Sequence, residues 1–248
     1  MRWYVAQPKS YGMGNFINCT PTIQTLYEHF GEAIPVYFDT PAVASMFANW
    51  KAIRPIKQHN GYERLFGSNM VNRKIPDYQY IHHNITQQLG IKRANIPHSY
   101  VDAHEPPAPW QAGEYVVIAR GGVAGGFWEE KKEVGDEIYR HIMERIALPK
   151  VIIGNDADYT RSLHRMEDWA DTTLVLNDVV KSLGLLNGAR YVIANDTGMY
   201  HAAGALKKDV FVIWKDTPFV KNKSPHKGCF YSQKGSWESD FKTWVARR

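Results

Sequence analysis

The chain has 248 residues, 44% of them hydrophobic and 22% charged, which is the make-up of a folded globular protein and excludes a disordered chain. Its formal charge of +5 favours anionic partners such as nucleotides, nucleic acid or lipid headgroups, although a surplus spread along the chain serves equally as a solvated surface. Two cysteines, Cys19 and Cys229, give neither a disulfide framework nor a metal pattern and fit a reducing cytoplasm; no apolar run has the length of a signal peptide core or of a membrane span of about 20 residues.

In chain order, Trp3 to Ala6 reads as a strand and Ser10 to Asn15 as a loop containing Gly12, Met13 and Gly14. A helix follows with Ile23, Leu26, Tyr27 and Phe30 on one face, and Gly31 ends it. Val36 to Phe38 is the next strand and Pro41 to Trp50 the next helix. From Lys57 to Pro76 the periodicity is lost and the stretch reads as loops; Ile81 to Leu89 reads as a helix. Asp102 to Gly113 holds Pro106, Pro107 and Pro109, which stiffen a linker and divide residues 1–110 from 111–248.

The second half alternates more cleanly. Apolar strands are expected at Tyr115–Ala119, Val151–Ile153, Leu174–Leu176, Tyr191–Ala194 and Val210–Trp214. Between them lie helical patterns: Trp128 to Ala147 with Val134, Ile138, Ile142 and Ile146 inward, Asn177 to Leu186, and Gly198 to Leu206. Strands this apolar are buried on both faces, which predicts parallel sheets covered by helices. A helix from Trp237 to Trp244 closes the chain, and it could pack back on the first domain.

The strongest constellation is Asn195-Asp196-Thr197-Gly198-Met199-Tyr200-His201, which leaves a strand and enters a helix. The carboxyl ends of parallel strands and the N-terminus of a helix together suit a phosphate. Thr197 adds a hydroxyl, Gly198 allows close backbone approach, and His201 follows Thr197 by one turn. Taken singly, Thr197 or Asp196 is a plain helix cap and His201 a surface histidine. Asp156-Ala157-Asp158 matches the Asp-x-Asp of metal-dependent sugar transfer, yet two acids after a strand are more commonly turn residues, so no essential metal and no cofactor is expected. His82, His83, His98 and His104 have no ligand cluster around them and read as surface histidines. The stretch from Trp214 to Lys227 mixes aromatics with lysines, which suits either stacking on bases or sugars or interface packing.

Asn195 to Ala203, reading Asn-Asp-Thr-Gly-Met-Tyr-His-Ala-Ala, resembles the signature Asn-Asp-Thr-Gly-x-x-His-x-Ala-Ala of the heptosyltransferase-like glycosyltransferases of family nine, although Met199 and Ala202 stand where the family has proline and leucine. Val151 to Asp158 resembles the family's strand, glycine turn at Gly154 and acidic residue, and Gly12-Met13-Gly14-Asn15 with Thr20-Pro21 resembles its Gly-x-Gly-Asp and Thr-Pro. Between 40 and 110 there is essentially no likeness. The resemblance implies a GT-B fold: α/β, two Rossmann-like domains with parallel sheets and an interdomain cleft. It also implies an inverting, metal-independent transfer of a sugar from a nucleotide-sugar. In that reading Asp196, Thr197, Gly198 and His201 hold the donor, Gly12, Met13 and Gly14 line the acceptor side, and Lys131 or its neighbour Lys132, or Arg120, meets the phosphates.

Asn15 stands where the family has its aspartate general base, and an amide cannot take the proton at neutral pH. Asp39, after the second strand, is the nearest substitute by topology. The acceptor reads either as a saccharide or as a modified base in DNA. Loss of the aspartate equally suits a non-catalytic module that binds nucleotides or nucleic acid. No obligate protein partner is indicated.

Overall fold

The computed structural model describes residues 3–7, 12–67, 74–92, 95–121, 134–161, 163–215, 223–233 and 235–248. The chain divides into two units, residues 1–102 with 220–226, and residues 103–219 with 227–248.

The first unit contains β1 (Trp3–Gln7), α1 (Met13–Ile17), α2 (Thr20–Phe30), β2 (Ile34–Phe38), α3 (Pro41–Ser45), β3 (Ile53–Ile56), β4 (Glu63–Gly67) and α4 (Asp77–Gln88). Its strands are parallel in the order β3-β2-β1-β4. Val5, Ile34 and Val36 from the sheet and Phe16, Ile23 and Leu26 from the helices are wholly buried in its core. Pro21 sits in the first turn of α2, where its missing N–H costs nothing, and Gly31 ends the helix in the left-handed region at φ 72°.

Several sequence expectations change here. Met13, Gly14 and Asn15 lie in a short helix and not a loop, because the Asn15 N–H turns back to the Gly12 carbonyl and the Asn18 N–H to Gly14. The inward face of α2 is Ile23 and Leu26 with Thr22 and Thr25, whereas Phe30 is 41% exposed against the edge of Trp3. The helix begun at Pro41 ends at Ser45; beyond it the bonds tighten to i→i+3 turns, and the Asp102 carboxylate accepts the Asn49 N–H. Within the stretch read as loops, residues 63–67 form β4. His82 is not a surface histidine: it is 3% exposed, with its ring nitrogen 3.0 Å from the Thr25 hydroxyl, and so ties α4 to α2.

The second unit contains β5 (Val116–Ala119), α5 (Asp136–Met143), β6 (Lys150–Gly154), α6 (Asp156–Arg161), a 3₁₀ stretch (Leu163–Trp169), β7 (Thr172–Val175), α7 (Val179–Gly188), β8 (Val192–Asn195), α8 (Gly198–Ala205), β9 (Val210–Trp214), β10 (Cys229–Gln233) and α9 (Trp237–Val245). The sheet is parallel, ordered β10-β9-β8-β5-β6-β7. Counted from β5 this is the 3-2-1-4-5-6 order of a doubly wound nucleotide-binding sheet. Val134, Ile138, Ile142 and Ile146 are buried as their spacing predicts, in one cluster with Ile118, Ile152, Ile193 and Phe211. Phe241 and Trp244 of α9 join this same cluster, so the last helix packs on the second unit's own sheet. The strand β10, with no continuous apolar run of its own, extends the sheet beside β9.

Candidate nucleotide-sugar site

From β5 the chain winds outward through β6 and β7, and from β8 it winds the other way through β9 and β10. The carboxyl ends of β5 and β8 therefore form the topological switch point, where neighbouring crossovers leave to opposite sides and open a crevice. Gly121 follows β5 there, and Asn195 ends β8 with Asp196 and Thr197 after it.

Asn195 joins the two strand ends. Its Oδ1 accepts the Gly121 N–H at 3.3 Å, and its Nδ2 donates to the Gly121 carbonyl at 3.0 Å. The side-chain amide thus continues the ladder by one step beyond the strands. It is 2% exposed, so both bonds are sheltered from water. Sequence reading placed Asn195 in the motif but gave it no role, because its partner lies 74 residues away.

Thr197 caps α8. Its backbone is extended at φ −131°, ψ 166°, and its hydroxyl oxygen accepts the Tyr200 N–H at 3.4 Å. The Gly198 and Met199 N–H groups in the first turn have no acceptor within the helix, as at any helix start, and point with the positive end of the dipole out of the strand ends. Asp196 and His201 are both buried, and His201, 5% exposed, is not a surface histidine: its ring lies 4.2 Å from that of Tyr200. Burial holds the Tyr200 phenol well above its ordinary range, and its hydroxyl meets that of Tyr231 at 3.2 Å, which anchors α8 to β10. The sequence motif is therefore a strand end, a cap and a helix start brought to one place, with Asn195 as the member that fixes its width.

Gly154 ends β6 on the same rim. The acids that follow have local work. The Asp158 N–H donates to the Asn155 side chain at 2.9 Å while the Asp158 carboxylate accepts the Asn155 N–H at 3.2 Å, a reciprocal capping box at the start of α6. Asp156 accepts from the Asn177 amide at 2.6 Å. A side chain at Gly121 would run into Asp158, so this glycine lets the β5 loop lie against the α6 cap. Among the described residues no group of three or more His, Cys, Asp or Glu side chains is placed to hold a metal ion.

Arg120 differs from its sequence reading as a phosphate-binding cation. It is 2% exposed, paired with Asp136, within 3.1 Å of the Val134 carbonyl, and set over the Tyr139 ring at 5.2 Å. Its guanidinium fastens the start of α5 beneath the sheet end. Burial would raise the Asp136 carboxyl, but Arg165 and Arg120 outweigh it and hold it below its ordinary value. Lys131 and Lys132 lie outside the described residues.

In the first unit, Gly12 is exposed and precedes α1, Gly14 is buried within it, and Asn15 is partly exposed. Asp39 follows β2 on the surface, and its hydrogen bond from the Tyr37 hydroxyl raises that phenol above its ordinary range.

No protein-family model and no curated protein sequence matches the chain. Solved structures do. A glycosyl transferase of family 9 from Veillonella parvula matches with a TM-score of 0.75 at 11% identity, over 100% of this chain and 98% of that one. The Escherichia coli heptosyltransferase WaaC with ADP matches with a TM-score of 0.70 at 12% identity, over 97% and 99%. The E. coli ADP-heptose lps heptosyltransferase II matches with a TM-score of 0.67 at 9% identity, over 100% and 99%. Two parallel-sheet α/β units in this order, shared along the whole chain, are the GT-B fold of the family-nine glycosyltransferases.

Proposed function

We infer that the protein moves a sugar from a nucleotide-sugar donor to an acceptor hydroxyl, inverting the sugar carbon and needing no metal ion. The observation that carries this is the switch point of the second unit, where Asn195 pins Gly121 beside the start of α8. A diphosphate placed there takes the N–H groups of Gly198 and Met199 and the Thr197 hydroxyl proton, which is left to donate because Tyr200 uses only the oxygen. The names of the structural neighbours, which mention ADP and ADP-heptose, support an adenine nucleotide carrying a heptose as the first donor to try.

In a single displacement the acceptor oxygen forms its bond to the sugar carbon as the bond to the diphosphate breaks. Charge gathers on the leaving diphosphate, and the helix start and fixed N–H groups stabilise it without reorganising. The acceptor proton goes to a base, and Asn15 cannot be that base. Asp39 is the carboxylate proposed in its place, oriented by Tyr37. Metal independence is supported by the occupation of Asp156 and Asp158 in the α6 cap and its neighbouring turn.

The test is release of nucleoside diphosphate from a panel of nucleotide-sugars, with saccharide acceptors and with DNA carrying hydroxymethylated bases. Turnover with one donor establishes the reading. Donor binding measured by calorimetry should weaken in Thr197→Ala and His201→Ala; unchanged binding in both would remove the site from α8. Asn15 favours a second reading, a module that binds a nucleotide-sugar without reacting it. Tight binding of donors with no diphosphate released in any assay would establish that reading instead.

A further inference from the structure

We propose that the face of the first sheet carrying Tyr4 and Tyr37 binds a strand of single-stranded nucleic acid. The argument begins with how the chain passes from β3 to β4. These strands are parallel and lie at opposite edges of the order β3-β2-β1-β4. The chain must therefore return over β2 and β1, about 14 Å sideways at the usual strand spacing. A parallel crossover normally uses a dozen residues or more and carries a helix. Here only Lys57 to Tyr62 separate the strands, too few for a helix, and they include a tight turn in which the Tyr62 N–H donates to the His59 carbonyl at 3.0 Å with Gly61 at φ 82°.

Ring contacts show which face the crossover takes. His59 stacks parallel on Tyr4, with centroids 5.1 Å apart and planes at 9°, and meets Tyr37 edge-on at 5.0 Å. Register places Arg54 on this face beside Pro35, next to Tyr37, and Arg64 beside Tyr4. The outer side of this crossover is thus a short turn laid over the buried Tyr4, with exposed Lys57, His59 and Asn60 on top and Arg54 and Arg64 on the flanking strands. The Arg64 guanidinium lies over Gly67, which has no side chain to displace it.

Charge selects the occupant. Residues 51–66 hold Lys51, Arg54, Lys57 and Arg64 against the single acid Glu63, which is more than half of the chain's net charge of +5. A second copy would bring like charge onto like charge. An anionic bilayer would need large apolar side chains to insert, and the exposed ones among the described residues, Phe30 and Ile75, belong to α2 and the approach to α4. Exposed cations on β3, β4 and the crossover, around an exposed imidazole that Tyr4 backs from below, are the elements of a stacking platform for a single strand. This surface belongs to the first unit and the proposed donor site to the second, and it does not depend on sugar transfer.

The experiment is fluorescence anisotropy of a labelled 20-nucleotide oligo(dT) with the full chain across a salt series. The double variant Arg54→Glu/Lys57→Glu is compared with Lys181→Glu/Lys227→Glu, which changes the net charge equally from exposed positions of the second unit. Wild type should bind at low salt, and loss of two phosphate contacts should reduce the log–log salt slope by about 1.4. The 54/57 variant should lose tenfold or more in affinity while the control pair loses little. His59→Ala, which removes one stacking ring and no strand residue, should lose roughly fivefold or more. Absence of binding, an equal loss in the control pair, or capture by phosphatidylserine vesicles in place of the oligonucleotide would overturn the proposal. Donor binding by the same variants should be unchanged, so failure here leaves the transferase reading standing and the converse also holds.

Discussion

Thr197 uses one hydroxyl in two directions. Its oxygen caps α8 through the Tyr200 N–H, and in the proposed donor complex its proton goes to a phosphate. Thr197→Ala should therefore cost about 1 kcal/mol of stability as a lost cap, and on the order of 1 kcal/mol of donor affinity as a lost hydrogen bond. Thr197→Ser should restore both, which thermal melts and calorimetry can check. Asn195 makes a sharper case. Asn195→Ala removes two sheltered bonds of roughly 1 kcal/mol each and leaves both Gly121 backbone groups unmet. We expect a donor KM raised about tenfold or more, with a smaller change in kcat. Asn195→Asp should be no better than alanine, because a carboxylate cannot donate to the Gly121 carbonyl. Equal donor KM in all three proteins would show that the clamp does not set the site. The residues of the motif were legible in the sequence because strand end, cap and helix start are consecutive. The clamp was not, because hydrogen bonds over 74 residues leave no periodicity.

Among elements, α5 is fixed at its first turn by Asp136, which takes Arg120 and, at 2.6 Å, Arg165. Because Arg120 is 2% exposed, Asp136→Asn leaves a buried cation short of its partner and should cost about 2–4 kcal/mol, read by denaturant unfolding. The sign with pH follows from the lowered carboxyl. A group held below its unfolded value stabilises the fold above that value and ceases to do so as pH falls through the folded one. Wild type should thus lose stability progressively below about pH 4, and Asp136→Asn should show a shallower acid limb. The same ion pair explains why a cation at the end of an apolar strand was misread as a phosphate ligand: position in sequence shows the strand end, whereas direction depends on the packing of α5. Strands differed in legibility for a related reason. The core strands β5, β6, β8 and β9 are apolar on both faces and declare themselves. The edge strands β3, β4 and β10 carry Arg54, Pro55, Arg64 and Ser232 among their residues and resemble loops until their neighbours are seen.

For the molecule as a whole, the departure that bears on the chemistry, Asn15, lies in the first unit, whereas Met199 and Ala202 in the second leave Asp196, Thr197, Gly198 and His201 in place. Asn15 is placed partly exposed on α1, so Asn15→Ala should lower turnover only moderately, through poorer acceptor orientation. Asn15→Asp should raise it if the chain is an attenuated member of this mechanism, and Asp39→Asn should abolish the acidic limb of the pH–rate profile. An unchanged profile in Asp39→Asn would move the base to another group. Turnover should persist in chelator; complete loss restored by manganese would assign Asp156 and Asp158 to a metal and set aside their role in capping α6.

By itself the sequence determined the class of fold, and it brought out the run of apolar strands and the turn from strand to helix on which the proposed donor site rests. These rest on local quantities: the apolar runs of buried parallel strands, the four-residue spacing from Val134 to Ile146, and the turn from Asn195 into Gly198. Only the tertiary structure decided that His82 and His201 are buried, that Arg120 serves α5, that Asn195 grips Gly121, and that six residues from Lys57 to Tyr62 replace a helical crossover. Each of these depends on groups far apart in the chain. Burial and hydrogen-bond partnership are properties of the assembled packing, and a side chain carries no mark in the sequence of what will lie against it.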